Sequence, residues 1–275
     1  MRKIFTLGAL SAATLTAAVA TGCTGTAASG EGAMSFATVE TGTAYRLLNS
    51  AREFGTDEDI VFTDSVSLIM PQRLMGHKAD ALRDSILSVA FDSVGADTRS
   101  VISGYMDRTA AVFGYPVEKV DTLAAGTTAD GYTRTDGTIV NLTPELLVYC
   151  VTTSDYQPRA AHGMSTSYYI NYDMAGQRVL GFRDLFDPAK TDSLTMAIQT
   201  QADALEQVIG PTTIAALPEG DNFMLSPTGE IVFVFQPYEV ASYAQGTIRV
   251  AFYPYELVEY MTPFAVRFFK LDDID

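Results

Sequence analysis

Phe223-Met224-Leu225-Ser226-Pro227-Thr228-Gly229-Glu230-Ile231-Val232-Phe233-Val234-Phe235 is the stretch that decides the fold class. Two apolar runs flank a four-residue turn. Proline presets the second turn position, and glycine accepts the positive φ with which the chain folds back. The run Ile231 to Phe235 is apolar on both faces, which predicts a central, covered strand. Downstream, Thr247 to Phe252 alternates, with Ile248, Val250 and Phe252 on one side and Thr247, Arg249 and Ala251 on the other. That pattern belongs to a sheet with one wetter face.

Upstream, strands are predicted at Ser35 to Leu47 and at Ile60 to Met70, the second stopped by Pro71. From Lys78 the period becomes helical, with Ala79, Leu82, Ile86, Val89, Ala90 and Ser93 on one face. Thr98 to Phe113 reads as a second helix. Gly126 to Gly137, dense in Gly, Thr and Asp, reads as a hairpin loop or a boundary between two halves. Strands follow at Ile139 to Leu142, Leu146 to Thr153 and Ser165 to Tyr172, and a turn at Asp173 to Gly176 returns through Gln177 to Leu180. Asp192 is placed to N-cap a helix carrying Leu194, Ile198, Ala202, Leu205 and Ile209, ended by Gly210-Pro211. Strands outnumber helices and the helices interrupt them irregularly. The expected class is therefore α+β, a mainly antiparallel sheet with a few packing helices. Two intimately packed subdomains are expected, a module over 35–137 and a domain over 138–275.

The N-terminus carries an address. Arg2 and Lys3 precede the apolar run Ile4 to Val19, shorter than the ~20 residues of a spanning helix. The run ends Ala20-Thr21-Gly22-Cys23, which resembles the lipobox of bacterial lipoprotein signals. The resemblance implies a signal peptide over 1–22, a lipid on Cys23, a flexible tether over 23–34 rich in Gly, Ala, Ser and Thr, and a body at the bacterial cell envelope, periplasmic or on the cell surface. Once Cys23 carries lipid, Cys150 has no intrachain partner among the two cysteines, and its apolar neighbours predict a buried strand residue. The formal charge of −15 argues against nucleic acid, whose phosphates would be repelled, and is compatible with a basic protein partner.

Several segments together resemble a known family. Ala160-Ala161-His162-Gly163 precedes a strand and a turn with Gly176, then Phe182-Arg183-Asp184-Leu185-Phe186. Gln236-Pro237-Tyr238-Glu239-Val240-Ala241-Ser242-Tyr243-Ala244 follows, leading through Gly246 into a strand and Tyr255-Glu256-Leu257. This order is similar to the extracytoplasmic domain of RsiV-type anti-sigma factors, a domain also found beside PdaC-type peptidoglycan deacetylases. The strand before Pro71 and the Lys78 helix resemble the smaller module that usually stands in front of it. The resemblance implies an α+β fold and, in RsiV-type members, binding of lysozyme as the signal for regulated proteolysis. No transmembrane helix, sigma-binding segment or deacetylase domain is recognisable here, so binding is what carries over.

The chemistry-bearing residues point the same way. The chain has two histidines, His77 and His162, too few for a zinc site. No G-x-S-x-G occurs, and Asn171-Tyr172-Asp173 fails as a calcium loop because Phe182 stands where its bidentate Glu belongs. No catalytic residue, metal ligand or cofactor is assigned. Tyr238, Tyr243, Phe252, Tyr253, Tyr255 and Tyr260 cluster around the motif-bearing loop, and tyrosine offers apolar area with a hydroxyl. The binding candidates are His162, Tyr238, Glu239 and Tyr243. The expected function is a membrane-anchored, non-catalytic module that binds a protein or cell-wall partner, a basic lysozyme-like protein or peptidoglycan. The alternative is a peptidoglycan-modifying hydrolase or deacetylase using His162, Glu239 and a tyrosine. Asp-(Ser/Thr)-aliphatic triplets begin at Asp64, Asp84, Asp92, Asp121 and Asp192 and resemble the acceptor motif of an O-glycosylation system for exported bacterial proteins.

Overall fold

The computed structural model describes residues 34–95, 97–120 and 129–272; the lipobox, Cys23 and the tether ahead of Met34 lie outside them. The strands are β1 (Ser35–Leu47), β2 (Val61–Leu74), β3 (His77–Lys78), β4 (Val117–Val120), β5 (Gly131–Leu142), β6 (Leu146–Tyr156), β7 (Met164–Asp173), β8 (Arg178–Leu180), β9 (Phe223–Leu225), β10 (Ile231–Phe235) and β11 (Ile248–Phe252). The helices are α1 (Ala51–Phe54), α2 (Asp80–Phe91), α3 (Thr98–Val112), α4 (Phe182–Leu185), α5 (Thr191–Ala204), α6 (Glu206–Ile209) and α7 (Pro263–Phe268). The fold is α+β. One large sheet runs β4-β1-β2-β5-β6-β7-β8, with β3 hairpinned onto the end of β2, and a three-stranded sheet runs β11-β10-β9. Every pairing is antiparallel except β2 with β5.

The large sheet separates two cores. Along β6 the side chains alternate: Leu147, Tyr149 and Val151 join the core under α2 and α3, while Leu146 and Val148 join the core with the small sheet. A strand dry on both faces needs the continuous apolar run that this one has. The second core is built around Phe182, whose ring lies 5.1 Å from Phe223 and 5.9 Å from Phe233, with Phe186 5.7 Å from Phe233. The expected division at 137/138 falls inside β5, whose edges pair with β2 on one side and β6 on the other. The molecule is layered across the sheet plane.

Four sequence expectations are corrected. Gly131 to Gly137 is strand, not a loop or boundary. Its glycines serve close approach: a Cβ on Gly131 would meet the Tyr156 carbonyl at 2.7 Å, and one on Gly137 would overlap the Tyr149 hydroxyl. Pro71 does not stop β2, which runs on to Leu74. It sits beyond the last β5 pairing, at Leu68, and beside a register shift in β1, so its missing N–H costs no ladder bond to β5. On α2 the buried face is Leu82, Ile86, Leu87, Ala90 and Phe91, whereas Val89 is 41% exposed. The stripe follows Leu87 because residues three and four apart keep one side of a 3.6-residue helix, as Leu87 does with Ala90 and Phe91 and Ile86 with Ala90. Asp192 lies in the first turn of α5 and does not cap it. Asp187 instead accepts from Ala189 N at 2.9 Å, capping a 3-10 turn, Pro188–Lys190, that feeds directly into α5. α5 ends at Ala204, leaving Leu205 and Ile209 half-buried.

The rest follows the pattern. Ser226 to Gly229 is the β9–β10 turn, with Gly229 N on Ser226 O at 3.0 Å and Gly229 at φ 88. All of Ile231 to Phe235 is buried, and β11 alternates as its sequence does. Cys150 is buried in β6.

Candidate functional site

Side-chain amides join the two sheets and fix the loops above them. β8 covers β7 only at Asn171 to Asp173, so backbone groups of β7 further along would be left without a strand partner. Asn222 takes over there, accepting from Tyr169 N at 3.0 Å and donating to Ser167 O and Val234 O at 3.0 Å each. Gln236 accepts from Ser167 N at 3.0 Å and donates to Ser167 O at 2.5 Å. Asn171 pins β9, donating to Phe223 O at 2.7 Å and accepting from Leu225 N at 2.9 Å. In the sequence Asn171 stands out only in a failed calcium loop and Gln236 only at the head of a motif, and Asn222 does not stand out at all. Asparagine and glutamine inside apolar runs were their only signal, since each carries the donor–acceptor pair that mimics a strand backbone.

Gln236 opens the turn that carries the expected binding residues. Glu239 N donates to Gln236 O at 3.1 Å, Pro237 holds the second position, and Tyr238 holds the third at φ 73. A type II turn wants glycine there; a tyrosine at positive φ costs on the order of 1 kcal/mol or more. The ring is not buried in return, being 58% exposed. Glu239 locks the turn: one carboxylate oxygen accepts from Gln236 N at 2.7 Å, the other from Glu219 N at 2.8 Å.

Three of the four expected binding residues come together over this turn. His162 stacks on Tyr243 with centroids 3.7 Å apart and planes 18° from parallel, and Tyr238 stacks on Tyr243 at 5.5 Å and 29°. The Tyr243 hydroxyl donates to Gly163 O at 2.6 Å. His162 Nδ1 lies 3.1 Å from the same carbonyl; a carbonyl only accepts, so Nδ1 carries the proton and Nε2 faces the Tyr238 hydroxyl at 3.4 Å. Ser242 and Gln245 hold Tyr243 from behind, with Gln245 Nε2 donating to Ile209 O and Pro211 O at 3.0 and 2.9 Å. Beside the shelf, Tyr168 has its hydroxyl pushed above the ordinary tyrosine range by burial, then by the nearby charges of Glu239 and Glu219. The site is an exposed, pre-stacked aromatic shelf with an acidic back wall.

Glu239, the carboxylate that a hydrolase would use with His162, has both oxygens engaged by backbone amides. The Phe182 to Phe186 motif is also structural: Asp184 accepts from Gly181 N at 2.9 Å and pairs with Arg178, while Phe182 N donates to Asp221 at 3.0 Å. His77 is exposed in β3, and among the described residues no group of three His, Cys, Asp or Glu side chains could hold a metal ion. Tyr253 and Tyr255 form a second exposed stack at 5.7 Å and 5°. Of the Asp-(Ser/Thr)-aliphatic triplets, the one at Asp64 lies in β2, paired on both sides, whereas Ser193 is exposed at the start of α5.

The amides, the motif and the shelf lie in or beside one segment with known counterparts. Residues 183–256 match the model of DUF3298, a protein family of unknown function. A DUF3298 family member from Bacteroides fragilis has a similar structure, with a TM-score of 0.65 at 18% identity over 86% of this chain and 96% of that one. A DUF3298 family protein from Pseudomonas aeruginosa superposes with a TM-score of 0.53 at 12% identity over 83% of this chain and 95% of that one. At these identities the likeness concerns the fold. Among curated proteins none matches the chain. No helix among the described residues is long and apolar enough to cross a membrane.

Proposed function

We propose that this chain is a non-catalytic binding module of the bacterial envelope, tethered through lipid on Cys23, and that it meets its partner on the shelf of His162, Tyr243 and Tyr238. One observation carries this reading. Tyr238 occupies a glycine-type backbone position and holds its ring in solvent, a strain that folding alone gives no reason to keep. Two further tyrosine and histidine rings are already stacked behind it, so little side-chain entropy remains to be lost on contact. The acidic wall and the formal charge of −15 favour a cationic protein. Its arginines or lysines would pack on the exposed tyrosine face, where a cation over the ring is worth about 0.5–2 kcal/mol. The likeness to RsiV-type domains makes a lysozyme-like protein the specific partner. Calorimetric titration with lysozyme at low ionic strength tests this. Heat that shrinks with added salt and is lost in Tyr238→Ala supports the reading, and the absence of heat refutes it. For the anchor, labelled palmitate should enter the wild-type protein and not Cys23→Ala.

A further inference from the structure

α3 is thinly attached to the sheet. Its buried side chains among those described are Ile102 and Met106. A cavity of about 270 Å³, lined among others by Val39, Thr43, Tyr45, Ile102, Met106 and Asp107, separates it from β1. The Tyr45 hydroxyl ties the helix down, donating to Met106 O at 3.2 Å. Beneath α3 lies Asp64 of β2, 0% exposed, with neither carboxylate oxygen hydrogen-bonded. Next to it on the same face of the sheet, Thr135 of β5 is equally buried, and its hydroxyl is equally unpartnered.

We propose that Asp64 is a proton-controlled latch: protonated, it lets α3 lie on the sheet, and ionised, it frees the helix on its β1 side. The groups facing Asp64 decide the direction. β1 presents Tyr45, β5 presents Thr133 and Thr135, and α3 presents Tyr105 and Thr109. The other charges in the neighbourhood are Asp107, which bears on Tyr45, and Asp155, which bears on Tyr105. All of these are neutral or anionic, and no ion pair among the described residues gives Asp64 a cation. Burial accordingly holds its carboxyl up at about 6. The Thr109 hydroxyl and the Ser65 N–H favour the anion but burial outweighs them, and the nearby hydroxyls are in part committed to α3: Thr109 donates to Tyr105 O at 3.2 Å, and Tyr45 to Met106 O. Loss of the Asp64 proton leaves a buried anion with no counter-ion, beyond what Thr109 and Ser65 offset. It is satisfied by drawing the Tyr45 proton off the Met106 carbonyl or by water entering from the cavity, and either change loosens α3.

Amide hydrogen exchange tests the latch, with α3 measured relative to β6 in the same molecule so that the intrinsic pH dependence cancels. In the wild-type protein, relative protection of α3 should fall by about tenfold or more between about pH 4.5 and about pH 7.5. In Asp64→Asn, which keeps the shape and cannot ionise, it should not change. Constant relative protection in the wild type, or the same fall in Asp64→Asn, overturns the proposal. Should that variant fail to fold, the Asp64 carboxyl carbon is followed by NMR in the wild-type protein. A midpoint shared with the α3 amide shifts supports the latch, and an ordinary aspartate midpoint or unmoved α3 amides overturns it.

Discussion

His162 lies flat on Tyr243, their ring centroids 3.7 Å apart, and both rings reach the carbonyl of Gly163. One backbone oxygen thus sets two of the three rings of the shelf. Gly163 has no alternative at that point, because a Cβ there would sit 2.7 Å from the Asp155 carbonyl. Gly163→Ala should therefore displace both rings and weaken partner binding as much as losing either one. Tyr243→Phe keeps the stack and drops one hydrogen bond, so it should cost about 1 kcal/mol of stability with little effect on binding. Denaturant melts paired with calorimetry separate the two outcomes.

Asn222 is the most heavily used side chain between the sheets, with three backbone partners and 1% exposure. Asn222→Leu keeps the branched shape and leaves Tyr169 N and Val234 O buried without that partner, each costing about 1–3 kcal/mol, while Ser167 O still accepts from Gln236. Urea unfolding should show a loss of about 2 kcal/mol or more. A loss under about 1 kcal/mol would mean that water replaces the amide at no cost.

Asp64 makes stability depend on pH in an unusual direction. Its folded carboxyl lies at about 6, above its value of 3.8 outside the protein, so the folded state holds the proton more tightly. Stability is fully present below the lower value and is lost as pH rises toward the upper one, by up to roughly 3 kcal/mol. Asp64→Asn should therefore be more stable than wild type at pH 7, with the advantage shrinking as pH falls from about 6 and gone below about pH 4. Asp59 and Asp97 act oppositely, since backbone amides depress the first and the Ser100 hydroxyl the second. Thermal melts of the variant and the wild type across this range isolate Asp64.

Much of the fold was legible because it rests on period and turn chemistry. The alternation of β11, the doubly buried β10 and the Ser226–Gly229 turn follow from their own residues. The errors came where a residue answers to a distant partner. Gly131 and Gly137 look like loop glycines, but the backbone at Tyr156 and the hydroxyl of Tyr149 need their space. The shelf was partly legible, because His162, Tyr238 and Tyr243 are ring-bearing residues within the motif segments near glycines. The structural part of Glu239 was not legible, since nothing local shows that it closes a turn and caps Glu219 N. Asp64 was invisible for the same reason. An aspartate in an alternating strand looks solvated until α3 is laid over it.

If Tyr238 gives up stability to present its ring, relieving the strain should cost binding and nothing else. Tyr238→Gly removes the strain and the ring together, and glycine suits φ 73 without penalty. Thermal unfolding and lysozyme titration of this one variant are the most direct measurement. The melting temperature should be unchanged or raised while lysozyme binding is lost. A Tyr238→Gly protein that binds lysozyme as the wild type does would contradict this.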